Sequence, residues 1–302
     1  MPTGDETSQN AGYFGGGYNP TLSSSIDRIA FSDETRTTLS GTLTTARAKF
    51  AGMANSGTAG YFGGGEDTGY LSGIDKITFS ADTKSTLSAT LTSARNWLVG
   101  VANSGTAGYF AGGESAAIVA ISSIDKITFS DDTKSTLSAT LSTGRRYFAG
   151  MANSGTAGYF GGGSDGAVYV SSIDKLTFSS ETRTTLSATF TSGRGINASM
   201  ANSGVAGYFG GGTDGAMISG IDKITFSADT KSTLSATLTS ARIGLAGMAN
   251  SGTAGYFGGG YDTDYLSGID KITFSADTKS TLAATLSVTR YALAAFSNSG
   301  TL

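Results

Sequence analysis

Neither cysteine nor histidine occurs in the 302-residue chain. That removes disulfides, thiol nucleophiles, thiolate and imidazole metal ligands and imidazole general bases together. Stability must come from packing and hydrogen bonds, in any redox compartment. No run of about 18 apolar residues exists, so no transmembrane helix and no membrane insertion are expected. The opening MPTGDETSQN is polar and acidic with no apolar stretch behind it, unlike a secretory signal peptide. Charge of one sign is not in excess: the net charge is -3, so bulk electrostatics draw no nucleic acid. The glycine runs precede no Gly-Lys-Ser/Thr and no helix, so they are not phosphate loops, and no cofactor is expected.

Glycine is abundant, at 45 residues, without the Gly-X-Y period of collagen. Regularly placed aromatics and an apolar content of 38% argue for a packed core over disorder.

The glycines belong to a repeat. NSGTAGYFGGG at 55–65 returns almost unchanged from Asn103, Asn153, Asn202 and Asn250. The tyrosine of GYF falls at Tyr13, Tyr61, Tyr109, Tyr159, Tyr208 and Tyr256, in steps of 48 to 50 residues. The Asp of ID[KR] falls at Asp27, Asp75, Asp125, Asp174, Asp222 and Asp270. An arginine follows each by 20 residues: Arg47, Arg95, Arg145, Arg194, Arg242 and Arg290. Six copies favour structural roles for both, with the rigid guanidinium tying neighbouring units through carbonyls or the Asp.

Each unit reads as four short strands. In the third unit these are Trp97–Ala102, Thr106–Gly113, Ser123–Ser130 and Ser135–Ser142. Asp125, Ile127 and Phe129 share one face, as do Leu137, Ala139 and Leu141. Asn-Ser-Gly marks a turn. No apolar period of 3.6 residues appears. The pattern predicts an all-β, six-bladed β-propeller with four-stranded blades. Single and paired glycines are expected where blades crowd near the axis. The ends complement each other: Tyr291–Gly300 reads as a first strand with its turn, and Asn10–Gly17 as a second strand. The C-terminal inner strand is therefore expected to pair with the N-terminal blade and close the ring. The single domain 1–302 then divides into a polar tail, 1–10, and units at about 11–45 plus 290–301, 46–93, 94–143, 144–192, 193–240 and 241–289.

These residues resemble the kelch family of propellers. The glycine pair follows Tyr-Phe, as at Gly112–Gly113. A D-T turn follows at Asp82-Thr83, Asp132-Thr133, Asp229-Thr230 and Asp277-Thr278, with Glu34-Thr35 and Glu181-Thr182 as variants. The arginine closes the unit. The outer-strand tryptophan of that family is missing, and Leu91, Leu141, Phe190, Leu238 and Leu286 lie near its place. The wording is also loosely similar to repeat proteins of marine phages and cyanobacteria. That likeness implies a virion or extracellular location and other subunits of a viral or surface assembly as partners.

The units differ in two places. Between the glycine run and ID[KR] lie 8, 8, 10, 9, 8 and 8 residues. After each arginine come AKF, NWL, RYF, GIN, IGL and YAL. In a four-stranded meander both connections lie on one face of the disc. Loops on a rigid scaffold are where binding sites usually sit. The candidate ligand-binding residues there are Tyr18, Glu66, Asp67, Tyr70, Trp97, Glu114, Tyr147, Asp165, Tyr169, Asp214, Tyr261, Asp262, Tyr265 and Tyr291. Aromatics beside carboxylates suit a glycan or a protein ligand. The acidic EDTG and YDTD lack the spacing of a calcium loop, so no metal site is expected.

Catalysis finds little support. A kelch-like copper oxidase would need His and Cys, and no sialidase Asp-box occurs. A glycosidase-like carboxylate pair is the remaining enzymatic alternative, yet no unit breaks the repeat sharply with polar residues. The sequence thus points to a non-catalytic binding module, with a virion scaffold or decoration protein as the alternative.

Overall fold

A computed structural model describes residues 10–298; residues 1–9 of the polar tail and 299–302 of the closing unit lie outside the described residues. Six four-stranded antiparallel sheets carry the fold. In the third blade the inner strand is Val99–Asn103, followed outward by Ala107–Ala111, Ile124–Thr128 and Thr133–Thr136. The chain is a six-bladed propeller, and one blade is built from both ends. Ala294–Ser297 pairs antiparallel with Ala11–Gly15, placing Tyr13 opposite Phe296. Asn298 extends the seam: its amide donates to the Ala11 carbonyl at 2.9 Å and its Oδ1 accepts from the Ala11 amide at 3.1 Å.

The outer strand differs from the alternation read in the sequence. It is Thr133–Thr136 rather than Ser135–Ser142. Leu137 and Leu141 face the core as their spacing suggests, but only isolated amide bonds hold them, from Leu137 to Ile124 and from Leu141 to Ser122, each 2.9 Å. The run leaves the sheet because its task is to cross to the next blade.

The repeated GYF phrase is an interlock between blades. The Gly makes room for a neighbour: a Cβ on Gly108 would overlap Met53 Sδ, and one on Gly60 would overlap the Phe296 ring. The Tyr ring stacks on a phenylalanine of the next blade, as Tyr61 does on Phe129 at 5.3 Å and Tyr109 on Phe178 at 5.3 Å. Its hydroxyl donates to the turn carboxylate of that blade, Tyr61 to Asp132 at 2.8 Å and Tyr159 to Asp229 at 2.8 Å. A lysine grips the same carboxylate, Lys76 to Asp132 at 2.7 Å. Burial, then the carboxylate partner, pushes these tyrosine hydroxyls well above their ordinary range. The final Phe of GYF is fully buried in every blade, where a side chain of that size stabilises by roughly 1.5–3 kcal/mol.

The glycine pairs do not crowd the axis. Gly64 and Gly65 adopt φ of +69° and +99° at the end of the second strand, and a Cβ on Gly64 would stand 2.8 Å from the Arg95 carbonyl. They receive the arginine segment entering the next blade. Single glycines do crowd the axis, in the inner strands: a Cβ on Gly52 would overlap the Ala295 carbonyl, and one on Gly100 the Gly52 carbonyl.

Candidate functional site

The six arginines are internal. Each forms a buried ion pair with the Asp of the blade it enters: Arg47–Asp75, Arg95–Asp125, Arg145–Asp174, Arg194–Asp222, Arg242–Asp270 and Arg290–Asp27, at 2.5–3.1 Å. Asp125 also accepts from the Thr92 amide at 2.9 Å, Thr92 Oγ1 at 2.6 Å and Thr136 Oγ1 at 2.8 Å. Thr92 lies in the segment arriving from the second blade, so each Asp fastens two blades. Desolvation raises the affinity of Asp75, Asp125 and Asp270 for a proton, but the threonine hydrogen bonds and the guanidinium outweigh it and hold all three below the usual carboxylate range.

One end of the disc is made of repeated turns. There Asn55 Oδ1 accepts from the Gly105 amide at 2.8 Å, Asn103 from Gly155 at 3.1 Å, Asn153 from Gly204 at 2.8 Å and Asn202 from Gly252 at 2.8 Å. The Asn-Ser-Gly phrase thus binds turn to turn.

The other end carries the variation. The residue after each arginine pairs with the first residue after a glycine run: Ala48 with Glu66, Asn96 with Glu114, Arg146 with Ser164, Gly195 with Thr213, Ile243 with Tyr261 and Tyr291 with Tyr18. Both variable connections therefore meet on one face.

Two kinds of surface arise there. Across the seam between the sixth and first blades, Tyr18, Tyr261, Tyr265 and Tyr291 gather. Tyr261 and Tyr265 meet edge to face at 5.4 Å, Tyr18 and Tyr265 at 5.9 Å, and Tyr265 and Tyr291 are tilted at 5.9 Å. All four are half-buried. Around the second to fourth blades the surface is charged and paired. Lys49 and Glu66 form an ion pair, and Asn96 Nδ2 donates to Glu66 at 2.5 Å. The Tyr70 hydroxyl donates to Glu114 at 2.6 Å, and Glu114 is ion-paired with Arg146. Trp97 and Tyr147 meet edge to face at 4.8 Å, flanked by the Lys49 and Arg146 cations at 5.6 and 4.9 Å from the ring centres.

The four candidate loop aspartates shape their own loops. Asp67 accepts from the Gly69 amide at 2.9 Å, Asp165 from Ala167 and Val168 at 2.9 and 3.0 Å, Asp214 from Ala216 at 3.3 Å, and Asp262 from Asp264 at 3.1 Å. Such side-chain-to-backbone bonds are what Asp contributes to turns. Hydrogen bonds from Val168 and Ala167 hold Asp165 below the usual carboxylate range. Tyr169 lies apart from the tyrosine group, over Gly195. Among the described residues no group of three or more acidic side chains comes together as a metal site.

No family model and no curated protein matches the chain.

Within this face is the mouth of the axial channel, ringed by Lys49, Trp97, Tyr147, Ile196, Gly244 and Ala292, the second residue after each arginine. All six have positive φ, from 51° to 63°, a conformation strained for a β-branched residue such as Ile196. It is held by backbone bonds running around the mouth: Lys49 donates to Ala292 at 2.8 Å, Trp97 to Lys49 at 2.6 Å, Ile196 to Tyr147 at 2.5 Å, Gly244 to Ile196 at 3.0 Å and Ala292 to Gly244 at 2.7 Å.

One layer deeper the chain presents Phe50, Leu98, Phe148, Asn197, Leu245 and Leu293. Asn197 is a polar break in the repeat that the sequence reading missed. Its signal was present in GIN, where the other five triplets end in Phe or Leu. It was hidden among two positions that vary freely.

Proposed function

We propose that this propeller is a non-catalytic binding module that recognises a glycan through the variable face, in a virion or extracellular setting. Kinship with kelch propellers goes with the same reading. The carrying observation is the tyrosine group at the seam. Tyr18, Tyr261, Tyr265 and Tyr291 come from opposite ends of the chain, and each is only half-buried. An aromatic ring beside hydroxyls complements a sugar, whose C–H face is apolar and whose rim is polar. A glycan fits better than a protein partner because the exposed apolar side chains of this face lie elsewhere. Ile118, Val119 and Val168 are 69%, 58% and 61% exposed, in the lengthened loops of the third and fourth blades. The carboxylates of the face are engaged by loop amides or by cations, which leaves no obvious acid and base pair.

A glycan array probed with the native protein, Tyr265→Ala and Trp97→Ala tests this. Binding is expected in the native protein, with a loss of about tenfold on removing a stacking ring worth roughly 1.4 kcal/mol. Absence of any glycan ligand, or ligands indifferent to both substitutions, would overturn it in favour of a structural disc.

A further inference from the structure

The variable loops of the second and sixth blades are near twins. EDTGYLSG at 66–73 and YDTDYLSG at 261–268 differ at two positions: Tyr261 stands where the second blade has Glu66, and Asp264 where it has Gly69. The turn itself is held alike in both, by Asp67 accepting from the Gly69 amide at 2.9 Å and by Asp262 accepting from the Asp264 amide at 3.1 Å. The charges are handled differently. Glu66 is ion-paired with Lys49, the residue after its bridge partner Ala48. Tyr261 bridges to Ile243, and the residue after that is Gly244. The sixth blade has thus replaced both members of an internal ion pair and gained an acid. Asp264 is exposed. The cations of its blade are engaged elsewhere, Arg242 and Lys279 by Asp270 and Lys271 by Glu34. The other variable segments of the seam, YNPTLSSS and YAL, contain no cation.

The rings beside Asp264 lack a cation as well. Elsewhere in the chain aromatic rings are covered: Lys76, Lys175 and Lys223 lie 5.4 Å from the ring centres of Tyr61, Tyr159 and Tyr208. On the variable face Lys49 and Arg146 do the same for Trp97 and Tyr147. Among the described residues no lysine or arginine stands over Tyr18, Tyr261, Tyr265 or Tyr291. A tyrosine ring attracts a cation through its quadrupole, and a carboxylate nearby adds to the attraction. Burial, then Tyr18, Tyr261 and Asp264, push the Tyr265 hydroxyl above its ordinary range; none of those neighbours is positive. The four rings already touch one another, with centres 5.4–6.4 Å apart, so a ligand meets the group from its solvent side. Such a surface favours a positive ligand and opposes a sulfated or carboxylated sugar. The positive group of a sugar is the ammonium of an amino sugar that carries no acetyl. Its apolar C–H face suits a ring and its ammonium suits the carboxylate.

We infer that the seam selects a cationic glycan, one that carries the free ammonium of an amino sugar, with Asp264 as the residue that reads the charge. The inference rests on the glycan reading above and names its ligand class.

The test titrates a glucosamine trisaccharide, its N-acetylated counterpart and tetramethylammonium into the native protein, Asp264→Gly and Tyr265→Leu, following the tyrosine rings by NMR. The second blade folds the same loop with glycine at the place of Asp264, so Asp264→Gly is expected to fold. The glucosamine trisaccharide should bind the native protein about tenfold more tightly than the acetylated one, and Asp264→Gly should erase that preference. Tetramethylammonium should shift ring signals of the native protein but not of Tyr265→Leu. Equal affinity for the two trisaccharides, or tighter binding of the acetylated one, would sink the ammonium assignment and leave the glycan reading standing. A preference that survives Asp264→Gly would overturn the role of Asp264. No sugar binding, with tetramethylammonium still shifting the rings in the native protein alone, would sink the glycan reading and support a cation site at the seam. Rings unmoved by all three ligands would overturn the site.

Discussion

Replacing Arg95 by Met should destabilise the propeller through the charge it leaves behind. The Arg95 and Asp125 side chains are both fully buried. The guanidinium donates to Asp125 at 2.8 Å, to the Phe110 carbonyl at 3.2 Å and to Ser123 Oγ at 3.2 Å. Methionine keeps the stem but leaves buried Asp125 with its three threonine hydrogen bonds and only the longer, partly exposed contact to Lys134, at 3.8 Å, in place of the guanidinium. Removing one partner of a buried pair costs about 3–5 kcal/mol. With an unfolding entropy near 2.1 cal/mol/K per residue, that lowers the melting temperature of a chain this long by about 5–8 °C. Asp125→Asn should cost a similar amount by stranding Arg95. The double substitution should cost clearly less than the sum, with a coupling of at least about 1 kcal/mol. Urea denaturation of the four proteins measures this. Asp125 is also held below the usual carboxylate range, so the unfolded chain takes up its proton first as pH falls. The stabilisation is complete above about pH 4 and is lost below it as the folded Asp titrates, and Arg95→Met should flatten that acid limb. Single costs under about 1 kcal/mol, or strictly additive ones, would refute the claim that these pairs fasten the blades.

The interlock makes two further predictions. The buried Tyr13, Tyr61, Tyr109, Tyr159, Tyr208 and Tyr256 hydroxyls hold their protons more tightly when folded, so stability should be intact below about pH 10 and fall as pH rises above it. Tyr61→Phe should weaken that alkaline slope and cost about 0.5–1.5 kcal/mol at neutral pH for its lost hydrogen bond. Gly60→Ala should cost at least about 1–3 kcal/mol by overpacking, because its methyl would meet Phe296, a ring already hemmed in by Phe62 at 4.5 Å and Tyr13 at 5.4 Å. Since Phe296 sits in the closing strand, limited proteolysis near residue 294 should accelerate in that variant, and unchanged cleavage would count against the seam as the point of strain.

The fold was legible because its signals are local and repeated. Strand alternation, Asn-Ser-Gly turns and the complementary ends each appear in the sequence with a direct structural meaning. The outer strand was misplaced because Leu137 and Leu141 alternate like strand residues while serving the crossing to the next blade, and alternation alone does not report hydrogen-bond partners. The glycine pairs were misassigned to the axis because sequence shows that a Cβ is unwelcome without showing what it would strike. At Gly64 that neighbour is the Arg95 carbonyl. The site was legible as a set of variable positions but not as a surface. Nothing local joins Tyr18 to Tyr265, and Asn197 stands out only when GIN is set against the five triplets that end in Phe or Leu.

The repeated residues themselves narrow where recognition can occur. The glycine of GYF admits a neighbouring side chain, its tyrosine grips the next turn, the Asp and Arg fasten successive blades, and the asparagine ties turn to turn. Each is engaged by another part of the same chain, so a ligand that used one would have to displace a bond of the scaffold. Among the loop positions, the aspartates hold their own turns and Glu66 and Glu114 are matched by Lys49 and Arg146. Among the described candidates, what is left as a clustered, partly accessible surface is the group of seam tyrosines. It sits on the variable end, and it occurs at one seam of a sixfold pattern. A disc with one such place should bind one ligand per chain, so a measured stoichiometry near six would move recognition to the repeated residues and undo this assignment.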